Sequence, residues 1–347
     1  MSKELMDISF IADRDLWDRF VSSYGGNFLQ SWEWGEVKRR HGWFPLRLAL
    51  IKDSTPVLAA QVLFRKLFGL TVAYVPRGPV GKAEGDDLDN FIYGLHKVAR
   101  ANHAIFLRIE PPREVPWARL LEGAVINENT IQPRATLTVD LSVGEEAILK
   151  SMRSKTRYYV RQSEKLGVTT REGSLEDVKV FYDLLEETSS RARFGIHAYD
   201  YYKDVYQQFV GKDLGKLILA EWQGEVIAGV FTIAFGNYGV YLYAASKTDH
   251  RDKYPNYLLQ WKAMQWCAMK GCKTYDLWGV PLKAAREFKN PTSGSPDISG
   301  QNEGLWGVYG FKRHFGREAV IYPPALDYPY IRPLYLAWFR LRGAESE

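Results

Sequence analysis

The chain reads Tyr238-Gly-Val-Tyr-Leu-Tyr243-Ala-Ala-Ser246, continues as a helical pattern from about Asn256 to Lys270, and returns to a strand pattern at Thr274-Tyr-Asp-Leu-Trp278. The first segment is almost uninterrupted in apolar and aromatic residues, which indicates a strand covered on both faces. A strand, a helix and a second strand in so short a span predict a βαβ crossover. Because α/β proteins usually bind ligands at the strand ends of such units, we expect the functional site here.

The helical segment carries an apolar stripe that could pack on a sheet. Its members recur at three- and four-residue steps and are Leu258, Leu259, Ala263, Trp266 and Met269. Gly271 follows as a helix stop signal. After the second strand we predict a polar loop, which leads to Gly310-Phe-Lys312-Arg-His-Phe-Gly316.

The upstream half of the chain repeats this order of elements. A β-hairpin is predicted at 46–51 and 57–64, and a second one at 216–222 and 226–235. Val57 and Val226 lie 169 positions apart, as do Glu110 and Gly279. A constant offset between equivalent elements indicates an internal duplication, so we predict two copies of one α/β module.

Several longer segments, spread over most of the chain, resemble a single family. In chain order they are Leu29-Gln-Ser-Trp-Glu-Trp-Gly-Glu-Val-Lys38, Tyr74-Val-Pro-Arg77-Gly-Pro79, Arg157 through Gly167, Tyr241-Leu-Tyr243-Ala-Ala-Ser246, Tyr257-Leu-Leu-Gln-Trp-Lys-Ala-Met-Gln-Trp266, Tyr275-Asp-Leu-Trp-Gly279 and Phe311-Lys312-Arg313-His314-Phe315-Gly316. They resemble the Fem-type aminoacyl-tRNA-dependent transferases (FemA, FemB and FemX), which build the interpeptide bridges of peptidoglycan. Because no charged heptad stretch interrupts the second module, the chain is most similar to the short FemX form.

The resemblance implies an α/β fold of two tandem GNAT-like modules, each a mixed sheet flanked by helices, with no coiled-coil arm. We assign residues 1–149 together with 325–347 to the first module and residues 150–324 to the second. The apolar tail at 330–342 is punctuated by basic residues. We predict that it packs on the first module, and the alternative is that it lies in a membrane surface.

Composition and length exclude several classes of protein. A chain of 347 residues with 46% hydrophobic and 25% charged residues is typical of folded, soluble domains and is long enough for two. No apolar run near either end could span a bilayer, and the N-terminal residues do not resemble a signal peptide, so we expect a cytoplasmic protein. Cys267 and Cys272 are too few for a disulfide framework, and the six histidines show no metal-binding spacing. We therefore predict reduced thiols and no metal.

Transfer of an aminoacyl group to an amine requires a fixed acceptor, a neutral amine and a stabilised oxyanion. The resemblance implies that Lys38 and Arg191 bind phosphates of the acceptor. A guanidinium can meet a phosphate with two parallel hydrogen bonds, which suits this role. Arg39 or Arg40 could replace Lys38, and Arg193 could replace Arg191. A surface ion pair is the alternative interpretation for each of the two main candidates.

The resemblance also implies that Tyr243 contacts substrate and that Lys312 stabilises negative charge in the transition state. A tyrosine in an aromatic strand fits a hydrophobic core equally well, so both interpretations of Tyr243 stay open. Lys312 lies between Phe311 and Phe315. We expect its ammonium at the edge of a cleft, and a lysine that extends past two aromatics to solvent is the alternative.

No general base stands out in the sequence. Glu110 and Asp276 are candidates by position only, because a carboxylate near a strand end is more often a structural hydrogen-bond acceptor. A base is not required, since an aminoacyl ester is already activated and the released tRNA hydroxyl can take the proton.

The segment from Asp249 to Asn256 argues against acetyl-coenzyme A as the donor. GNAT enzymes hold its pyrophosphate on a glycine-rich turn that opens a helix. This segment has no glycine, and Tyr254 and Pro255 hinder the approach of backbone N–H groups. In the first module, Gly81 and Gly85 are accompanied by acids at 84, 86 and 87. We therefore predict no cofactor.

Basic residues are concentrated between Lys150 and Arg171. Four of them are spaced to share one helical face, namely Lys150, Arg153, Arg157 and Arg161. A solvated helix face and contact with a polyanion, such as tRNA or lipid headgroups, both fit this pattern.

We expect a monomeric aminoacyltransferase that moves an amino acid from aminoacyl-tRNA to the stem-peptide amine of a peptidoglycan precursor. The acceptor would be UDP-MurNAc-pentapeptide or lipid II, with peripheral membrane contact in the second case. The first alternative is an acyl-CoA-dependent GNAT N-acyltransferase. The second is a non-catalytic RNA-binding module that uses the basic face.

Overall fold

The computed structural model describes residues 7–67, 69–82, 86–113, 116–289, 304–316 and 318–343. Two compact units can be recognised in the chain. The first consists of the described parts of Met1–Gln132 and Tyr322–Glu347, and the second consists of those of Pro133–Ile321.

The first part of the chain alternates helices with long strands. Its elements are β1 (Asp7–Phe10), α1 (Arg14–Ser23), α2 (Trp32–Arg40), β2 (Trp43–Lys52), β3 (Thr55–Leu67), β4 (Leu70–Pro76), β5 (Val80–Gly81), α3 (Asp87–Ala101), β6 (Ala104–Glu110), β7 (Val125–Asn127) and β8 (Ala135–Asp140). Short 3-10 turns lie at Phe28–Gln30 and Trp117–Leu120. The predicted first hairpin is confirmed as β2 and β3.

The rest of the chain repeats this order of elements. It contains α4 (Glu145–Ser151), α5 (Ser154–Lys165), β9 (Thr169–Glu172), α6 (Asp177–Ala192), α7 (Tyr199–Phe209), β10 (Gly215–Trp222), β11 (Glu225–Phe235), β12 (Tyr238–Ser246), α8 (Pro255–Met269), β13 (Thr274–Gly279), α9 (Leu282–Lys289), α10 (Gly304–Lys312), β14 (Glu318–Ile321), β15 (Ala325–Pro329) and α11 (Arg332–Gly343). Further 3-10 turns lie at Val210–Lys212 and Arg251–Lys253.

The two sheets have the same strand order. The first runs β1-β2-β3-β4-β6-β15-β7, with β5 beside β3, and the second runs β9-β10-β11-β12-β13-β8-β14. The pairs β4–β6 and β12–β13 are parallel, and their neighbours on both sides are antiparallel. Both sheets are therefore mixed, and helices pack on each. The predicted fold of two tandem GNAT-like modules is confirmed.

Two strands are exchanged between the repeats. β8 follows the first-unit elements along the chain, yet it pairs with β13 and β14 in the second sheet. β15 follows the second-unit elements, yet it pairs with β6 and β7 in the first sheet. Because of β8, the units divide after Gln132, earlier than the predicted boundary after residue 149.

Helix α8 is buried on more than the predicted stripe. Leu258, Leu259, Ala263 and Trp266 are buried as expected, but Met269 is 77% exposed at the helix end. Other faces are also covered, with Gln260, Trp261, Met264 and Cys267 buried, because α8 contacts helix α5 as well as strands β10, β11 and β12. The thiols of Cys267 and Cys272 are free and buried, as predicted.

The predicted polar loop after β13 is wrong in its described parts, which form helices α9 and α10. Ala284 and Ala285 of α9 and Tyr309 of α10 are buried, so each helix covers core. The middle of the predicted loop, residues 290–303, lies outside the described residues.

The C-terminal helix α11 packs in the first unit. Tyr335 and Trp338 are buried, and their rings contact Phe106 of β6. This is the packing that we predicted for the tail. Within the described ranges, each helix is too short or too polar to cross a bilayer. In the same ranges, His, Cys, Asp and Glu side chains form no cluster suited to a metal ion.

Candidate active site

Lys312 ends helix α10 in the second unit and points inward. The N–H groups of Phe315 and Gly316 donate to its carbonyl and close the helix end. Its side chain is only 6% exposed, its Nζ donates to the carbonyl oxygen of Gly279 at 2.9 Å, and Nζ lies 5.3 Å from the ring centroid of Tyr241. The expectation of an ammonium at a cleft edge therefore understates its burial. A lysine that extends to solvent is excluded.

The surroundings of Lys312 favour loss of its proton near neutral pH. Burial lowers the pKa of Lys312 to about 7, and the negative charge of Asp276 opposes this shift. At neutral pH the group therefore changes charge readily, as expected for a residue that takes part in chemistry. Phe311 and Phe315 pack beside it with ring centroids 5.0 Å apart.

The carbonyl that holds Lys312 belongs to an irregular end of strand β13. Register with β8 pairs Asp276 with Thr138 and Gly279 with Thr136, so two residues of β13 oppose one of β8. Trp278 within this bulge has a φ of 61°, in the left-handed region. Sequence reasoning missed this bulge, although a Trp-Gly pair after an apolar strand is a signal that could have pointed to it.

Tyr243 lies on the same strand as Tyr241, within a cluster of tyrosines. Its ring packs edge-on against Tyr202 at 5.1 Å between centroids, and its hydroxyl donates to that of Tyr201 at 3.5 Å. Burial raises the pKa of Tyr243 well above its usual value, so the hydroxyl remains protonated. The side chain is half-buried, which leaves both core packing and substrate contact available to it.

Arg191 reaches the end of strand β12 from helix α6. Its two terminal nitrogens donate to the carbonyl oxygen of Ser246 at 3.2 and 3.3 Å, and one of them also donates to the hydroxyl of Thr248 at 2.7 Å. Burial, followed by the positive charge of Arg251, lowers the pKa of Arg191. The neighbouring Arg193 is exposed and takes a left-handed conformation just after the helix.

Three of the predicted residues belong to strand β12 or contact it at separate points along its length. Lys312 lies over Tyr241, Tyr243 follows two residues later, and Arg191 binds the backbone at Ser246. The fourth predicted residue, Lys38, belongs to the first unit.

Lys38 lies in the last turn of α2, a helix that begins after Ser31, whose hydroxyl accepts from the backbone N–H of Trp34. Its Nζ lies 4.5 Å from the ring centroid of Trp34. Burial lowers the pKa of Lys38 to about 8, and the positive charge of Arg65 adds to this shift. The negative charge of an anion bound here would raise the pKa of Lys38 and so counteract this shift.

The two proposed substitutes for Lys38 have different surroundings. Arg39 is exposed and forms an ion pair with Glu36 at 3.1 Å, and Arg40 is also exposed. Of these three consecutive basic residues, Lys38 is the half-buried one.

Glu110 and Asp276 both act as hydrogen-bond acceptors. The carboxylate of Glu110 accepts from the hydroxyl of Tyr74 at 2.8 Å and from the backbone N–H groups of Ile131 and Gln132. Oδ1 of Asp276 accepts from the hydroxyl of Thr136 and from the backbone N–H of Trp278 at 2.7 Å. These arrangements favour the structural interpretation of both carboxylates.

Two stacked tyrosine rings occupy the segment before helix α8. Tyr254 has a φ of 58°, and its ring stacks on Tyr159 with 4.1 Å between centroids. Pro255 is the first helical residue and offers no N–H group. In the first unit, Gly81 is described, and a side chain there would meet the carbonyl oxygen of Val57. Gly85 and the acid at 84 lie outside the described residues.

The predicted basic face is not continuous. Helix α4 ends at Ser151 and α5 begins at Ser154, so Lys150 and the α5 residues lie on different helices. The side chain of Arg157 turns back, and its Nη1 donates to the carbonyl oxygens of Met152 and Lys150 at 2.5 and 3.2 Å. The exposed part of this surface, here called the α5 surface, consists of Arg153, Lys155, Tyr158, Arg161 and Lys165.

Comparisons with known proteins agree with this architecture. The FemAB family model matches residues 13–128, 120–224 and 222–340. The chain is 25% identical, over an alignment 401 positions long, to the lipid II:glycine glycyltransferase of Staphylococcus haemolyticus (strain JCSC1435), with 92% of each protein covered. The crystal structure of FemX has a TM-score of 0.82 at 22% identity, with 96% of this chain and 99% of that chain covered.

A tandem GNAT protein from the clavulanic acid biosynthesis pathway has a TM-score of 0.52 at 11% identity, and the match covers 92% of this chain and 98% of that one. The two structural neighbours thus share the duplicated fold described above. Taken with the family model, which extends over most of the chain, they lead to one conclusion. The protein belongs to the FemAB family.

Proposed function

We propose that this protein transfers an amino acid from aminoacyl-tRNA to the stem-peptide amine of a peptidoglycan precursor. As a member of the FemAB family with a lipid II:glycine glycyltransferase among its relatives, it is a transferase that forms amide bonds. The observation that carries the proposal is the buried Lys312, held by the Gly279 carbonyl over Tyr241 at the end of the βαβ unit.

The reaction joins an amine to an ester carbonyl. The amine nitrogen attacks the carbonyl carbon of the aminoacyl ester, a C–N bond forms and the ester C–O bond breaks. The proton lost by the amine passes to the oxygen of the leaving RNA hydroxyl. Negative charge develops on the carbonyl oxygen during attack, and the ammonium of Lys312 would stabilise it in a site with little water. No external base is needed in this scheme.

The acceptor carries phosphates whether it is nucleotide-linked or lipid-linked, and Lys38 and Arg191 would bind them. Lys38 is half-buried beside a second cation, Arg65, and a bound phosphate would relieve their repulsion. Arg191 is held in place by Ser246 and Thr248, so little side-chain freedom is lost on binding. Tyr243, between Arg191 and Tyr241 along β12, would contact the peptide part.

Aminoacyl-tRNA suits the structure better than an acyl-coenzyme A. Tyr254 and Tyr159 stack where a GNAT enzyme would present backbone N–H groups to a pyrophosphate. The α5 surface instead combines four cations with Tyr158, which is 57% exposed. Cations that track a phosphate backbone and an exposed ring for a base are the usual components of a single-stranded RNA site.

The decisive experiment supplies purified protein with a panel of charged tRNAs and with each of the two acceptors. Product should form with one or more charged tRNAs, and acetyl-coenzyme A should neither bind in calorimetry nor support transfer. Lys312→Met should abolish most of the activity, whereas Lys270→Met, a control at the exposed end of α8, should not. RNA binding with no product from any combination would favour the non-catalytic alternative.

The relative's lipid II substrate supports a lipid-linked acceptor and action at the inner face of the membrane. Under this proposal the protein is cytoplasmic and monomeric, and it contacts the bilayer only peripherally. Vesicles that contain lipid II should then be better acceptor sources than UDP-MurNAc-pentapeptide. A clear preference for the nucleotide-linked acceptor would contradict this part of the proposal.

A further inference from the structure

Asp276 fixes the irregular strand end that carries the partner of Lys312. Its Oδ1 accepts the backbone N–H of Trp278 at 2.7 Å and the hydroxyl of Thr136. The Thr136 hydroxyl also lies 3.0 Å from the carbonyl oxygen of Trp278, so its single proton is shared between the Asp276 carboxylate and this carbonyl. Because Trp278 has a positive φ of 61°, its conformation is costly for a bulky residue and needs such support.

The residue after the bulge is equally constrained. A Cβ added to Gly279 would lie 2.7 Å from Cγ of Pro133, so the backbone passes too close for any side chain. The Val280 N–H donates to the carbonyl oxygen of Ala135 at 2.9 Å and fixes the far side of the peptide. The Gly279 carbonyl therefore points to the opposite side, where it accepts a hydrogen bond from Nζ of Lys312 at 2.9 Å.

We propose that Asp276 is a positioning residue for Lys312: it holds the bulge that aims the Gly279 carbonyl at the ammonium, and it adds a negative charge to this strand end. The proposal rests on the proposed function, in which Lys312 acts as a cation. It replaces the idea that Asp276 is a general base, because its Oδ1 is already the acceptor of two hydrogen bonds.

Among the groups around Lys312, Asp276 is the one whose charge favours the protonated lysine. Tyr241 on β12 and Tyr257 on α8 have raised pKa values because they are buried, so they stay neutral. Burial, then the nearby cations, lowers the pKa of His314 to about 4, so it is also neutral at pH 7. The cations that act on His314 include Arg153 and Arg313. Burial lowers the pKa of Lys312, and Asp276 raises it.

Asp276→Asn separates the two roles of the carboxylate. The amide oxygen of asparagine can still accept from Trp278, so the bulge should persist, but the charge is lost. Thr136→Val is the comparison variant, because it removes the contacts of the Thr136 hydroxyl with Asp276 and with the Trp278 carbonyl and retains the charge. Circular dichroism and thermal melting establish that both variants fold.

The first readout is the pKa of Lys312, followed by NMR of lysine labelled at Cε and Nζ and assigned with Lys312→Arg. Loss of an opposing charge should lower this pKa by about one unit in Asp276→Asn. In Thr136→Val it should change little. An unchanged Lys312 pKa in a folded Asp276→Asn protein would overturn the proposal.

The second readout is the pH profile of turnover, which tests whether that pKa matters for chemistry. In the unmodified protein the profile should bend near the pKa of Lys312, where the ammonium begins to lose its proton. In Asp276→Asn this bend should move to lower pH together with the NMR titration. A shifted NMR titration with an unmoved bend would support the positioning role and reject the catalytic role of Lys312. The two failures can therefore be told apart.

A third measurement needs no variant and applies if Asp276→Asn does not fold. In the unmodified protein, the carboxyl carbon of Asp276 should change its chemical shift with the same midpoint as Lys312, because the shift of this carbon senses the charge of a neighbouring ammonium. Independent titrations would contradict the proposal.

Discussion

The ends of strands β6 and β13 occupy equivalent places in the two units, but they have become different. Strand β6 pairs regularly with β4 from Leu107 to Glu110, whose carboxylate is enclosed by Tyr74 and two backbone N–H groups. Strand β13 breaks into a bulge before Gly279, whose carbonyl accepts from a buried lysine. One strand end thus holds a carboxylate that accepts three hydrogen bonds, and the other holds a lysine with a lowered pKa.

This difference indicates that the two copies of the module have different roles. A carboxylate that accepts hydrogen bonds from several fixed donors is already committed to holding the backbone in place. A buried ammonium with one carbonyl partner can gain a stronger interaction when an oxyanion forms nearby. We therefore expect catalysis at the second-unit strand end and only structural support at the first, with Lys38 adding a binding role to the first unit.

The largest effect should follow from removing the cation at the second strand end. Lys312→Met should lower turnover by about 10²–10³, because one transition-state donor is typically worth this much. The Michaelis constant for the acceptor should change little, since the ammonium would act on charge that develops during reaction. Steady-state kinetics with Lys270→Met as the control measure both. A large loss of acceptor affinity with normal turnover would move Lys312 to the binding site.

Removing the proposed phosphate ligands should affect binding more than turnover. Lys38→Ala and Arg191→Ala should each raise the Michaelis constant for the acceptor by about 10- to 100-fold, the value of a charge-assisted hydrogen bond. Arg39→Ala and Arg193→Asn are the controls, and asparagine is chosen because it tolerates a positive φ. If Lys38→Ala lowers turnover as much as Lys312→Met does, the division of work between the units is incorrect.

The α5 surface should contribute a salt-dependent share of RNA binding. Arg153→Glu combined with Arg161→Glu should weaken tRNA binding about tenfold at low salt and flatten the dependence of affinity on salt concentration. Arg157 is left intact because it closes the end of helix α4. Lys66→Glu combined with Lys97→Glu is the control for the same change in net charge. A salt slope equal to that of the unmodified protein would remove this surface from the binding site.

The pH profile sharpens the role of Lys312 further. Below pH 7 the turnover should rise with pH, because more of the attacking amine is neutral. Above about 7, the pKa of Lys312, the profile should level off, because the gain in neutral amine is offset by loss of the ammonium. In Lys312→Arg the bend should disappear from this range. A profile in the unmodified protein that becomes steeper near pH 7 would indicate that neutral Lys312 acts as a base.

The order of elements could be predicted from the sequence, because strands and helices leave local signatures. The apolar run of β12, the helical spacing of α8 and the 169-residue offset each depend on neighbouring residues only. The exchange of β8 and β15 could not be predicted in the same way. A six-residue strand such as Ala135–Asp140 fits either sheet, and its partner is chosen by contacts far away in sequence.

The candidate site was predictable in its residues but not in its geometry. The resemblance pointed to Lys312. Its burial could not be predicted, because the polar sequence after β13 indicated a loop, whereas its described parts form helices α9 and α10. The inward turn of Arg157 was hidden for a related reason, since spacing on one helix presumes that the helix is unbroken. The bulge at Trp278 arises from pairing with β8, so it could be recognised only once that pairing was known.

The smallest effect on turnover should come from the first strand end. In Glu110→Gln the amide can accept fewer hydrogen bonds than the carboxylate, so a donor among Tyr74, Ile131 and Gln132 loses its partner. The free energy of unfolding should fall by about 1–3 kcal/mol, the cost of an unsatisfied buried group, as measured by urea denaturation. Tyr74→Phe removes a single donor and should cost less.

Turnover per folded Glu110→Gln molecule should stay within about twofold of the unmodified protein, because in our scheme this carboxylate takes no proton from the amine. A hundredfold loss of turnover in a stably folded Glu110→Gln variant would instead identify Glu110 as the general base.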